Sequence, residues 1–115
     1  MLRIPIPIHH GYEFVFARDI LYFQADGNFS VVICKEKEFT RSTLSLKELE
    51  QKLQVSGFCR IHHKYLVNME HIARYFKGDG GEVVLSNGEK LAVSRGKKEN
   101  LIRELKMKKS ELEKG

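Results

Sequence analysis

Between Tyr12 and Lys35 the chain carries three short runs of aromatic and branched residues, YEFVFA (12–17), ILYFQA (20–25) and NFSVVICK (28–35). Arg18-Asp19 and Asp26-Gly27-Asn28 interrupt them. Breaks this close leave no room for a helix of ordinary length, whereas each run has the length and composition of a β-strand. Asp26-Gly27-Asn28 reads as a turn, because these residues tolerate the backbone angles that a tight reversal needs. Both faces of the first two runs are largely apolar, which predicts strands covered on both sides. In the third, Phe29, Val31 and Ile33 share one face, since side chains alternate along a strand. Glu36-Lys37 makes another tight connection into EFTRS (38–42).

The same punctuation resumes later. FCRI (58–61), YLV (65–67), HIARYFK (71–77), EVVLS (82–86) and KLAV (90–93) read as strands. Gly78-Asp79-Gly80-Gly81 is a loop, and Asn87-Gly88 is a strong hairpin signal because both residues accept φ > 0. Two helices break the pattern. Ser45-Leu46-Lys47-Glu48 has the form of a capping box opening a short helix over about 45–54, with Leu46, Leu49 and Leu53 as its apolar stripe and Gly57 as its stop. A second helix runs over about 96–113, with Leu101, Ile102, Leu105 and Leu112 on one side and Ser94 placed to cap it. The fold class is therefore mostly β: a compact, elongated antiparallel sandwich or barrel-like unit with one internal and one C-terminal helix.

A length of 115 residues predicts a single domain over 1–115, and a domain of this size hides roughly two-thirds of its unfolded surface. An apolar fraction of 42% argues against a disordered chain. Cys34 and Cys59 sit inside apolar runs and read as buried free thiols, which suits a reducing, cytoplasmic setting. Pro5 and Pro7 break the only apolar stretch near the start, so no signal peptide is expected, and no run is long enough for a membrane helix. The formal charge of +5 favours nucleic acid, anionic lipid or an acidic protein as partner, and by itself fits ordinary solubility charge equally well.

The stretch FCRIHHKYLVN (58–68) poses the functional question: metal site, catalytic site, or a grip on something acidic. Cys59-x-x-His62 has a metal-like spacing, but no second ligand pair accompanies it, and in a strand the two side chains point apart. No metal and no cofactor are expected. No nucleophile elbow or phosphate-binding lysine loop is present, so the chain does not read as an enzyme. Three polar or basic segments remain at element junctions. They are Asp26-Gly27-Asn28-Phe29-Ser30, His62-His63-Lys64-Tyr65 leading to Asn68, and Ser94-Arg95-Gly96-Lys97-Lys98. Lysine and arginine neutralise phosphates, arginine also forks onto guanine, and asparagine or neutral histidine can pair with base edges.

Ile20-Leu-Tyr-Phe-Gln-Ala25, Asn28, Leu44-Ser-Leu-Lys-Glu-Leu49, Phe58-x-Arg60-Ile-His62, Tyr65-Leu-Val-Asn68, Ile72 and Val93-Ser-Arg95 fall in an order that resembles a LytTR-type DNA-binding domain, the output module of many bacterial response regulators. The resemblance spans about 3–106, leaving 107–115 as a basic C-terminal tail. It implies a mostly-β module that inserts loops into successive major grooves of promoter DNA. It implies base contacts from Asn28, Phe29 and Ser30, from His63 with Lys64 beside it, and from Arg95. Lys97 and Lys98 add phosphate contacts. His63 stands where arginine, lysine or asparagine is common, and Lys64 where serine is common. Arg60, His62, Tyr65, Asn68 and Ser94 read as residues that shape and position the loops.

The expected function is sequence-specific binding of double-stranded promoter DNA as the effector domain of a transcription regulator. Direct repeats, self-association on DNA and a receiver domain outside this chain are the implied context. Two rivals stay open. One is a single-stranded DNA or RNA-binding β module, which requires exposed Phe or Tyr beside Lys or Arg. The other is a protein-interaction domain using the basic C-terminal helix.

Overall fold

A computed structural model of the chain describes residues 3–36, 39–53 and 57–114, without the side chains of Leu53 and 107–114. The expected Glu36-Lys37 connection, the Leu53 and Leu112 side chains, residue 54 at the end of the first helix and the side chains of the basic tail lie outside the described residues. The strands are β1 (Arg3–Ile8), β2 (Gly11–Phe16), β3 (Ile20–Asp26), β4 (Phe29–Cys34), β5 (Phe39–Ser42), β6 (Phe58–His62), β7 (Tyr65–Asn68), β8 (Ile72–Phe76), β9 (Glu82–Leu85) and β10 (Lys90–Ala92). The helices are α1 (Leu46–Leu53) and α2 (Lys98–Lys114). All strand pairings are antiparallel.

Five strands form a central sheet in the order β5-β4-β3-β7-β6. Alternation sends Phe23, Val32 and Leu66 to one face, where they pack with Ile4, Ile6, Ile20, Leu44, Leu46 and Leu49. The β1–β2 hairpin and α1 supply that layer. Tyr22, Cys59, Ile61 and Val67 point the other way, into a second cluster with Val83, Leu85, Leu91 and Leu101 from the β10-β9-β8 sheet and α2. Strand β3 is thus buried on both faces from Ile20 to Phe23, as its two-sided apolar pattern predicts.

The first run behaves differently. Val15 packs inward, but Tyr12, Phe14 and Phe16 of β2 face outward at 64%, 59% and 38% exposure. The hairpin is an outer layer among the described residues, so its far face has nothing to meet. Strand β1 was not legible because it contains Pro5 and Pro7. Proline survives in an edge strand when its missing N–H faces away from the partner, and residues two apart share that direction. Pro5 pairs opposite Phe14 and Pro7 opposite Tyr12.

Local signals hold at α1. Glu48 N–H donates to Ser45 Oγ at 3.2 Å, and Ser45 N–H donates to the Glu48 carboxylate at 3.2 Å, which is the reciprocal capping box. These bonds hold the Glu48 carboxyl below its usual range. The C-terminal helix departs from expectation. Arg95–Lys97 forms a 3-10 turn first, and the Ser94 side chain makes no capping bond. A lysine at 97 cannot return the reciprocal bond that Glu48 provides in α1. In the β9–β10 hairpin only Gly88 takes positive φ, at 89°, while Asn87 does not. Gly88 N–H closes the turn onto the Leu85 carbonyl at 2.8 Å.

Ser30 is fully buried, and its hydroxyl finds no hydrogen-bond partner, the one such side-chain group among the described residues. An unsatisfied buried polar group destabilises a fold. Ser30→Ala is therefore expected to raise stability by about 1 kcal/mol, read as a higher urea midpoint at unchanged slope. A lower midpoint would mean that the hydroxyl has a partner.

Candidate nucleic-acid interface

Strand direction brings two of the three polar segments together. Because β3 and β7 are antiparallel, with Gln24 opposite Tyr65, the end of β3 lies at the start of β7. The Ala25 amide donates to the Lys64 carbonyl at 2.9 Å, which joins the β3–β4 turn to the β6–β7 turn. The third segment arrives from β10. The Ser94 amide donates to the Ile61 carbonyl at 2.8 Å, just before the β6–β7 turn. Asn28, His63, Lys64, Arg95 and Lys97 are all exposed.

Each turn is held from behind. Arg60 is largely covered, its side chain 17% exposed, and it uses its fork as a clamp. Its Nε donates to the His62 carbonyl at 2.8 Å and its Nη2 to the His63 carbonyl at 2.9 Å, while Nη1 pairs with Glu50 of α1. His62 Nδ1 accepts the Lys64 amide at 3.1 Å, which requires a ring unprotonated at Nδ1. Burial, then the neighbouring charges of His63, Lys64 and Arg60, hold the His62 pKa below its ordinary value. Tyr65 sets its ring edge-on to Tyr22 at 5.8 Å. Behind the third segment, Val93 N–H donates to the Gly81 carbonyl, and the Lys98 ammonium donates to the Gly78 carbonyl at 3.2 Å. A Cβ on Gly80 would come within 1.8 Å of the Val93 carbonyl oxygen, so only glycine lets this loop lie on that backbone.

Two expected residues sit elsewhere. Ser30 cannot reach a ligand: β4 starts at Phe29, so alternation turns Phe29 outward and Ser30 inward, opposite Ser42. This corrects the assignment of Ser30 to a contact surface. Asn68 lies at the other end of β7, buried. Its Nδ2 donates to the Ile20 and Ala17 carbonyls, and its Oδ1 accepts the Glu70 amide. It positions the entry to β3, not the exposed turns.

One cation escaped the sequence reading. Arg41 of β5 pairs with Asp26, and its guanidinium carbon stands 6.0 Å from the centre of the Phe29 ring. Its signal was the alternation of EFTRS, which puts Phe39 and Arg41 on the outward face shared with Phe29. Arg95 has a similar companion, Asp79, at 3.5 Å, with both side chains more than four-fifths exposed. Pairs this exposed contribute about 0–1 kcal/mol, so a phosphate or a base edge can replace the carboxylate at little cost. Among the described residues no three side chains of the metal-binding types converge. Burial pushes the Cys59 thiol up to about 11, which keeps it protonated near neutral pH.

A family model described as the LytTr DNA-binding domain matches residues 10–106. The CO-responsive transcriptional regulator RcoM of Rhodospirillum rubrum is 33% identical over 89 residues, covering 75% of this chain and 36% of that protein. The sensory transduction protein LytT of Bacillus anthracis is 30% identical over 98 residues, covering 83% and 39%. The chain therefore spans somewhat over a third of the length of these relatives. A solved structure from Bacillus cereus, described as a LytTr DNA-binding domain, superposes with a TM-score of 0.75 at 22% identity, over 91% of this chain and 97% of that one. That likeness establishes the fold.

The His62 arrangement carries a pH dependence. A histidine with a lowered folded-state pKa binds fewer protons folded than unfolded, so its contribution is complete above the ordinary value of 6.5 and is lost as pH falls through the folded value. His62→Asn keeps an acceptor near Nδ1 but does not titrate. Wild-type stability is expected to fall relative to His62→Asn between pH 7.5 and 5. Parallel stability curves would mean that the turn does not depend on the neutral ring.

Proposed function

Because the chain belongs to the LytTr DNA-binding domain family, we propose that it reads a promoter duplex in a sequence-specific way, as the effector domain of a bacterial transcription regulator. DNA binding follows from the family; the reading of which residues do it rests on one observation. Two backbone hydrogen bonds, Ala25 to Lys64 and Ser94 to Ile61, tie three polar segments to one end of the central sheet.

In this reading Asn28, His63 and Arg95 address base edges, Arg95 by forking onto guanine in the major groove. Phe29 lends apolar contact beside the β3–β4 turn. Lys64, Lys97 and Lys98 take phosphates, and Arg41 joins them from β5. Arg60, His62, Tyr65 and Ser94 act through the turns they support. The molecule extends 44 Å along its longest axis, against about 34 Å for one turn of B-DNA. A domain lying along one face of the duplex can thus touch two consecutive major grooves.

The regulatory context is read from the relatives. RcoM is a transcriptional regulator and LytT a sensory transduction protein, and each is more than twice as long as this chain. A signal-receiving domain joined to this one would place two copies on direct repeats and raise their effective concentration there. The single domain over 1–115 and a cytoplasmic setting belong to the same reading, as does the absence of catalysis. No described helix is long and apolar enough to cross a membrane.

Selection of bound duplexes from random DNA supplies the cognate site for the test. Arg95→Ala is expected to cost about 1–3 kcal/mol on that site and to relax base choice at one position. Lys97→Ala should weaken all duplexes alike and flatten the slope of log K against log salt by about 0.9 for each phosphate that is no longer neutralised. Unchanged affinity of Arg95→Ala for the selected site would overturn the assignment of base readout.

A further inference from the structure

The outward face of the β1–β2 hairpin has no part in the duplex reading. Tyr12, Phe14 and Phe16 stand in a row along β2, all exposed, with neighbouring rings about 6.8 Å apart by strand geometry. A cation covers the ring at each of two positions. The Arg3 guanidinium carbon lies 5.6 Å from the centre of Phe14, and that of Arg18 lies 5.6 Å from the centre of Phe16. The carboxylate of β2 lies on the strand's other face: Glu13 is exposed there and accepts a hydrogen bond from Thr40. Asp19, at 4.0 Å from Arg18, is the acid at the rim.

Three exposed rings, two of them with a guanidinium over one face, make a surface for a polyanion that also offers flat rings: the phosphates can draw the arginines aside and the bases take their place on the rings. The geometry points to a second binding site on this face, for single-stranded nucleic acid, in which successive unstacked bases lie on Tyr12, Phe14 and Phe16 and the backbone phosphates meet Arg3 and Arg18. Each base has a π face, so such a platform is tolerant of sequence, and each stacking contact has a measurable effect. A second copy of this chain fits the face poorly. It would bring two Arg3 and two Arg18 side chains onto a surface with few carboxylates to offset them. The row begins at the end of the molecule that carries the β3–β4 turn: Tyr12 lies opposite Pro7, whose carbonyl accepts from Ser42 Oγ and the Thr43 amide. A strand on the row therefore leads toward the edge assigned to the duplex.

The test measures anisotropy of labelled fifteen-residue oligothymidylate and oligouridylate at low salt, beside an abasic oligomer of the same length and the selected duplex. Wild type is expected to bind both pyrimidine oligomers more tightly than the abasic one. Phe14→Ala, a change at an exposed position, should weaken that binding by about fivefold or more while leaving the duplex unaffected. Arg95→Ala should do the reverse. The proposal fails if wild type does not bind the oligomers saturably, or if the abasic oligomer binds equally well. It fails also if Arg95→Ala, but not Phe14→Ala, abolishes oligomer binding. A shift from dimer to monomer on sedimentation of Phe14→Ala, with oligomer binding unchanged, would assign the face to self-association instead. Thermal melting of each variant confirms that a loss is not unfolding.

Discussion

Strand β3 is hydrogen-bonded on both edges, to β4 and to β7, and covered on both faces along Ile20–Phe23. Every other element takes its place from it. One face of the sheet orders the β1–β2 hairpin and α1, and the other orders the β8–β10 sheet and α2. A strand confined in four directions has little freedom to slip, because a one-residue shift would exchange the inward and outward sets on two packed faces at once. The end of β3 therefore sits at a fixed point, and the turns around it inherit that precision.

Precision at the strand does not by itself make a turn rigid. The β6–β7 turn acquires rigidity from Arg60, which spends its donors on the carbonyls of His62 and His63 and on Glu50 of α1. The arginine of this stretch thus braces the turn and leaves the exposed positions to its neighbours. The same division recurs at Gly80, which contributes no side chain yet lets the 78–81 loop lie against the backbone leading to Arg95. Bracing of this kind lowers the ordering cost that a flexible loop would meet on binding. It also separates the residues whose loss reshapes the surface from those whose loss removes a single interaction.

Most of the fold could be read from the chain because its signals are local. The capping box at Ser45 and Glu48 and the Gly88 turn each depend on neighbours a few residues away. The misreadings have a common cause: they concern what lies across space. YEFVFA has the same apolar character on both faces as ILYFQA, and only the layer order tells which strand is central and which is outermost. Ser30 belongs by sequence to a polar turn, yet β4 begins one residue earlier and alternation turns it inward. The alternation of EFTRS turns Arg41 outward, but its companions, Asp26 and Phe29, reach it only through the β4–β5 pairing. Pro5 and Pro7 concealed a strand that tolerates them because both lie on the edge turned away from β2, where the Pro7 carbonyl still accepts the Thr43 amide.

The proposed duplex edge is less cationic than its basic residues suggest. Arg41 rests against Asp26 and Arg95 against Asp79, each a carboxylate on the same side of the molecule as the arginine it meets. A phosphate or a base that takes either guanidinium must displace a partner already in place. Exchange of one exposed acceptor for another is nearly neutral in energy, so these two arginines add little to affinity for any polyanion. What they leave is a premium on geometry. A guanine offers two acceptors to the arginine fork in fixed register, whereas a passing phosphate does so in no set position relative to Asn28 and His63. An edge with its arginines pre-paired thus favours the site that engages several turns together over the much larger number that engage one.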